Sequence, residues 1–204
     1  MSSSSFPISR RTVIVADASV VINLNATGCA LDIIRAQPGS VVVTENAFAE
    51  LAAGTHKGHN DHEQLQALIN AEAVRIVQLG EAGNRVYASL VEGSALRTLD
   101  DGEAATIGYA HETGGVAMID ERKARTICAE EFPDLTVAST IDLLTHELIQ
   151  SALGAQGQIN AIVNALRIAR MRVPPHQIEM TVKLIGDEAA VICNSLPKAV
   201  RAAC

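Results

Sequence analysis

Aromatic side chains are nearly absent: three Phe, two Tyr and no Trp in 204 residues. With so few rings the core has to be aliphatic, and there is little on which to stack successive nucleobases. Excess positive charge is lacking too. The formal net charge is −7, whereas a protein that coats nucleic acid passively is normally basic. An acidic nuclease stays admissible, because metal ions and a local basic patch can offset phosphate charge. The cysteines, Cys29, Cys128, Cys193 and Cys204, show no C-x-x-C spacing. They read as reduced thiols of a cytoplasmic protein. No apolar run reaches membrane-spanning length, so no membrane partner is expected. Arg10-Arg11, an apolar stretch and Thr27-Gly28-Cys29-Ala30 imitate an export signal with a lipidation site, but Asp17, Asn23 and Asn25 interrupt the apolar segment such a signal needs. No internal repeat, G-x-G-x-x-G or P-loop is present.

What is there is aliphatic. At 48% hydrophobic residues, the chain can fill one good core and disorder is not the default. The expected organisation is a flexible tail over 1–10 that includes Ser2–Ser5, a domain over 11–150, and a helical extension over 151–204 packed on the same domain. Val13-Ile14-Val15, Val41-Val42-Val43 and Val116–Ile119 are short runs without polar alternation, as in strands buried on both faces. Val74–Val77 and Leu135–Ala138 complete about five strands, the former nearer an edge. Helices are expected over Ser19–Ala26, Ala30–Ala36, Glu45–Ala53 (capped by Thr44 and ended by Gly54), Leu65–Ala71, Glu81–Glu92, Ala104–Glu112 and Glu121–Glu130. From Ile141 the chain is largely helical, divided by Pro174-Pro175. Strands alternating with helices predict an α/β fold: a central, mostly parallel sheet flanked by helices in three layers.

Two of the buried runs close on an aspartate, Asp17 after the first and Asp120 after Val116–Ile119. Acids at strand ends lie at the carboxyl edge of the sheet, where open α/β folds bind their ligands. Glu50 and Glu103 lie on helices. Taken one at a time, each has an ordinary explanation: Asp17 and Asp120 as helix caps, Glu103 as a first-turn acid, Glu50 as a solvated residue. As a set, hard oxygen donors suit Mg²⁺ or Mn²⁺, with no Cys/His zinc spacing to compete.

The stretches that carry these acids are VIVADASVVINL, VTENAFAEL, DDGEAATIGYA and AMIDERKAR. In this order they resemble the PIN-domain nucleases, the family of the VapC toxins, over about Val13 to Asp187. The Gly-Glu form of the third stretch is similar to a subgroup whose chains also continue into a helical C-terminal extension. The resemblance implies a PIN-like, Rossmann-like sheet and metal-dependent hydrolysis of RNA. Asp17, Glu50, Glu103 and Asp120 would be the catalytic acids, and Asp17, Glu103 and Asp120 the ligands of Mg²⁺ or Mn²⁺. Ser19 matches a small hydroxyl residue near the first acid and is expected at the substrate. Many relatives have Asp at the third position, and Asp101 stands two residues before Glu103; Glu103 is favoured, with Asp101 better placed as a cap. Asp142 reads as a helix-start residue, with an outer-sphere role as the alternative. The implied partners are an RNA substrate and a small antitoxin protein. The aliphatic helices beyond Ile141 suit docking of a partner or of a second copy in a homodimer, and equally suit core.

Arg122, beside Asp120, is the best phosphate-binding candidate. Arg167 and Arg170 are spaced i,i+3 and are expected on one helix face, with Arg172 following. His56, His59 and His62 read as an exposed polar loop rather than a metal site. Two other functions remain open: a catalytically silent binding or regulatory module of the same fold, and a phosphohydrolase with Asp17 as covalent nucleophile. The latter usually needs a second Asp where Ser19 stands.

Overall fold

Val13–Ala16 (β1) forms the middle of a five-stranded sheet in the order β3-β2-β1-β4-β5. The other strands are Ser40–Thr44 (β2), Val74–Val77 (β3), Val116–Met118 (β4) and Thr136–Ala138 (β5), and every pairing is parallel. The computed structural model describes residues 8–55, 60–92, 94 and 97–203; the serine tail Ser2–Ser5, His56, His59 and Cys204 lie outside these. β1 pairs with β2 on one side, Ile14 beside Val41, and with β4 on the other, Ala16 beside Met118. The strand order reverses at β1/β4, and in open α/β sheets such a switch point is where a crevice opens at the carboxyl edge.

The buried runs supply both faces of the sheet because side chains alternate along a strand. Ile14, Val41, Val43, Val116 and Met118 face one aliphatic cluster, while Val15, Val42, Ala117 and Ile119 face another. Ala18–Ala26 (α1), Ala30–Ala36 (α2), Glu45–Thr55 (α3) and Asp61–Asn70 (α4) cover the first face. Glu81–Val91 (α5), Asp101–Thr113 (α6) and Arg122–Glu131 (α7) cover the second. The result is a three-layer α/β fold. Helices α5 and α6 approach closely at Gly83 and Gly108, where a Cβ on Gly108 would lie 2.6 Å from the Gly83 carbonyl oxygen.

After β5 come Thr140–Leu144 (α8), Glu147–Ile168 (α9), a 3-10 turn Pro175–Gln177, and Ile178–Ile185 (α10), Asp187–Val191 (α11) and Lys198–Ala203 (α12). Ala161, Ile162, Ala165, Leu166, Ile185 and Leu196 join the same cluster as Ile14 and Met118. Gly154, at φ 71°, breaks the helical backbone inside α9. Three local expectations are corrected. Helix α3 continues through Gly54 to Thr55, since one glycine near a helix end costs only about 1 kcal/mol. Helix α4 begins at Asp61, so His62 is helical, with its ring 4.7 Å from that of Phe48. Helix α9 stops at Ile168 and Arg170 adopts a left-handed backbone at φ 56°, so Arg167 and Arg170 do not share a helix face. Cys29, Cys128 and Cys193 are free thiols. No helix of the described residues is long and apolar enough to cross a membrane.

We propose that 151–204 unfolds together with 11–150 as one cooperative unit. Ile162, fully buried in the shared cluster, then controls the stability of the whole: Ile162→Ala is expected to lower it by about 2–5 kcal/mol in a single urea transition followed by circular dichroism. An early minor transition followed by an unshifted main one would show the extension unfolding separately.

Candidate active site

β1 and β4 deliver two aspartates to the switch point. The Asp17 amide donates to the Met118 carbonyl at 3.2 Å, which ties the end of β1 to β4. Asp17 is then the N-cap of α1, its Oδ2 accepting from the Ser19 amide at 3.2 Å and the Ser19 hydroxyl at 2.8 Å. Its other oxygen, Oδ1, is buried and has no hydrogen-bond partner among the described residues. A buried oxygen without a donor is costly, and in a native protein it calls for a missing partner.

Asp120 sits one residue beyond Ile119, whose amide donates to the Ala138 carbonyl. It is held from two sides. Asn23 Nδ2 donates to Oδ2 at 2.6 Å, the Thr140 amide donates to Oδ1 at 2.7 Å, and the Thr140 hydroxyl donates to Oδ2. Thr140 is set in place by the start of α8, a capping box in which the Asp142 amide donates to Ser139 Oγ and the Ser139 amide donates to Asp142 Oδ2, joined by the Ser139 hydroxyl donating to the same oxygen. Gln177 donates to Asp142 Oδ1. Asp142 therefore serves the helix start and the extension.

The two glutamates come from α3 and α6. Gly102 allows these helices to meet: a Cβ there would lie 2.5 Å from Glu50 Oε2 and 3.2 Å from Asp17 Oδ1. The glycine before Glu103 thus leaves room beside the Glu50 and Asp17 carboxylates. Asp100, not Asp101, is the N-cap residue of α6. Asp100 has the extended backbone of a cap and its carbonyl accepts the Ala104 amide, so Asp101 is already helical and accepts from the Tyr87 hydroxyl at 2.9 Å.

Asp17, Glu50, Glu103 and Asp120 line one cavity of about 310 Å³, together with Ser19 and Asn23. Sequence reasoning missed two further acids there, Asp100 and Glu121, whose only sequence signal is adjacency to the chosen motifs. The basic residues Arg170 and Arg172 were legible as substrate candidates, though on a continuing helix rather than a turn. The turn Ala169–Arg172 closes the cavity, bringing Arg170 and Arg172 opposite the acids, with Arg172 paired to Glu121. Arg122 lies instead in the neighbouring cavity, which shares Asp120 and Arg172.

Crowded acids resist ionising. Burial pushes the Asp17 and Asp120 carboxyls up, against the hydrogen bonds they accept. Glu50, at the exposed rim, is also raised by desolvation and by Asp17. Glu103 is pushed up to about 7 by desolvation, then by the charges of Asp17, Asp100 and Glu121. No three His, Cys, Asp or Glu side chains of the described residues form a ready coordination sphere. The donor chemistry nonetheless fits a hard divalent cation: all-carboxylate oxygens, with Asp17 Oδ1 buried and unpartnered.

Without metal, Glu103 keeps its proton in the folded state at pH values where the unfolded chain has lost it. Its contribution to stability is therefore intact below its ordinary value of 4.5, declines as pH rises toward about 7, and stays low above that. Glu103→Gln removes the decline. In EDTA the variant is expected to exceed the wild type in stability at pH 8 by on the order of 1–2 kcal/mol, allowing for solvent screening of a partly exposed group. The gap should close near pH 4.5 in thermal melts. A gap independent of pH would contradict the repulsion described.

A family model described as a PIN domain matches residues 13–187, from the start of β1 to the start of α11. No curated protein and no solved structure gives a significant match. PIN domains are generally nucleases and usually use divalent metal ions. With a five-stranded parallel sheet and an acidic cavity at its switch point, the chain belongs to the PIN-domain family.

Proposed function

We propose that this protein is a ribonuclease dependent on Mg²⁺ or Mn²⁺, and the toxin of a toxin–antitoxin pair. The observation that carries the nuclease reading is the meeting of Asp17, Glu50, Glu103 and Asp120 in one cavity, with Asp17 Oδ1 left without a donor. The toxin reading is supported by the resemblance of the acid-bearing stretches to the VapC toxins. Asp17, Glu103 and Asp120 would hold the cation. Once bound, it would supply charge neutralisation at the phosphate and acidify a water.

The chain's own residues do the remaining work. Ser19 and Asn23 with Thr140 fix Asp17 and Asp120, so these carboxylates are already oriented before substrate arrives. Glu50 and Glu103, on helices at the rim, position water for attack on phosphorus. Arg170 and Arg172 face the same cavity and offset phosphate charge. Attack by water with departure of the 3′ oxygen leaves a 5′-phosphate and a 3′-hydroxyl, and the 2′-hydroxyl takes no part.

Incubation of a mixed RNA pool with the wild type and Mg²⁺ or Mn²⁺ is expected to give fragments with 5′-phosphates, abolished by EDTA. Asp17→Asn and Glu103→Gln are each expected to slow cutting by about 100-fold or more. Induced expression of the wild type, but not of Asp17→Asn, is expected to arrest growth. Cutting that survives Asp17→Asn would overturn the assigned site. RNA binding by folded protein without cutting under either metal would favour a silent module.

A further inference from the structure

Beside the acid cavity lies a larger one of about 650 Å³, within the range of ligand pockets, roughly 300–1,000 Å³. Two parts of the chain build it. One wall is α7, whose exposed face presents Arg122, Arg125, Thr126 and Ala129 at helical spacing. The other comes from the extension: Val173, Pro174, Pro175 and Ile178 before and within α10, and Leu196-Pro197 before α12. Asp120 and Arg172 line both cavities, so the two adjoin.

The charge of this cavity runs against that of the chain. In a protein of net charge −7, it collects Arg122, Arg125 and Arg172, the last paired to Glu121, with His176 beside them. Of the acids on its border, Glu130 faces Arg97 at 3.6 Å and Asp120 is held by Asn23 and Thr140. Arg125 is steadied by donating to the Ile119 carbonyl at 3.2 Å. Arg122 is exposed and its guanidinium has no ion pair among the described residues. An apolar wall facing a row of guanidinium groups suits a base and ribose on one side and a phosphate on the other.

We propose that this cavity binds the nucleotide of a single-stranded RNA that adjoins the phosphate held at the acids. Arg122 and Arg125 take the flanking phosphate, and the Pro174–Pro175 and Leu196–Pro197 wall takes the base. The assignment rests on the nuclease reading for the identity of the strand. Adjacency to the acid cavity favours RNA over an acidic peptide, because a strand with one phosphate at Asp17 and Asp120 would place its next nucleotide beside them, on this side of Asp120 and Arg172.

Two variants test it on the full chain in EDTA, with a fluorescein-labelled RNA hexamer followed by anisotropy. Ala129→Trp fills the cavity from an exposed helix position, and Arg122→Ala removes the unpaired charge. Each is expected to weaken binding about tenfold or more. Arg122→Ala should also reduce the slope of log affinity against log salt by about 0.7. Binding equal to wild type in both variants, no RNA binding by the wild type, or a Glu-rich hexapeptide competing as well as unlabelled RNA would each overturn the proposal. Hydrolysis by the wild type with Mn²⁺ is read separately. Weakened binding in the variants without any wild-type hydrolysis would support the cavity and remove the nuclease reading.

Discussion

The parallel pairing of β1 with β4 is the contact on which the rest of the site depends. It joins two strands far apart in sequence at the point where the sheet order turns, and it sets Ala16 beside Met118. Asp17 and Asp120 are carried to the same edge by that register alone. A slip of β4 by one residue against β1 would turn β4 over and send its side chains to the opposite clusters, so the hydrophobic alternation of the two strands also protects the position of the acids. Everything else at the cavity answers the problem this pairing creates, which is negative charge gathered where water is scarce.

The answers differ from acid to acid. Asp120 is satisfied by neutral donors from α1 and from the start of α8. Asp17 is satisfied on one oxygen only, by the turn that starts α1. Glu103 has the Asp100 amide alone, which is outweighed by burial and neighbouring charge, and both glutamates hold their protons more tightly. The positive charges that line the cavity come from the turn after α9, where Arg170 takes an unusual backbone conformation for a residue other than glycine. Strained conformations of this kind cost about 1–3 kcal/mol and persist where the surroundings fix them. Here Met171, buried and with its amide bonded to the Ala165 carbonyl, pins the turn in place.

Much of this was legible in the sequence, because it follows from local rules. Runs of Val and Ile without polar alternation marked the three central strands, which are buried on both faces, and an acid at the end of a central strand has to lie at its carboxyl edge. Gly102 was visible as part of a Gly-Glu pair, though its reason, two carboxylates within reach of its missing Cβ, exists only in three dimensions. Arg167 and Arg170 misled because spacing assumes that a helix continues, and the chain leaves the helix between them. Asp100 and Asp101 were confused because either can cap; the backbone angles of the turn decide. Asn23 was seen only as a polar residue in an apolar stretch, since its partner lies 97 residues away.

The hydrogen bond from Gln177 to Asp142 has a further meaning. Asp142 braces Ser139, the next residue, Thr140, grips Asp120, and Gln177 belongs to the 3-10 turn that precedes α10. The extension is thereby a keystone of the carboxylate cradle, not an ornament on a finished domain. Grafting a shorter tail onto this sheet would leave Asp142 without that brace and slacken the grip on Asp120. The turn at Gln177 and the setting of Asp120 are therefore coupled through Asp142.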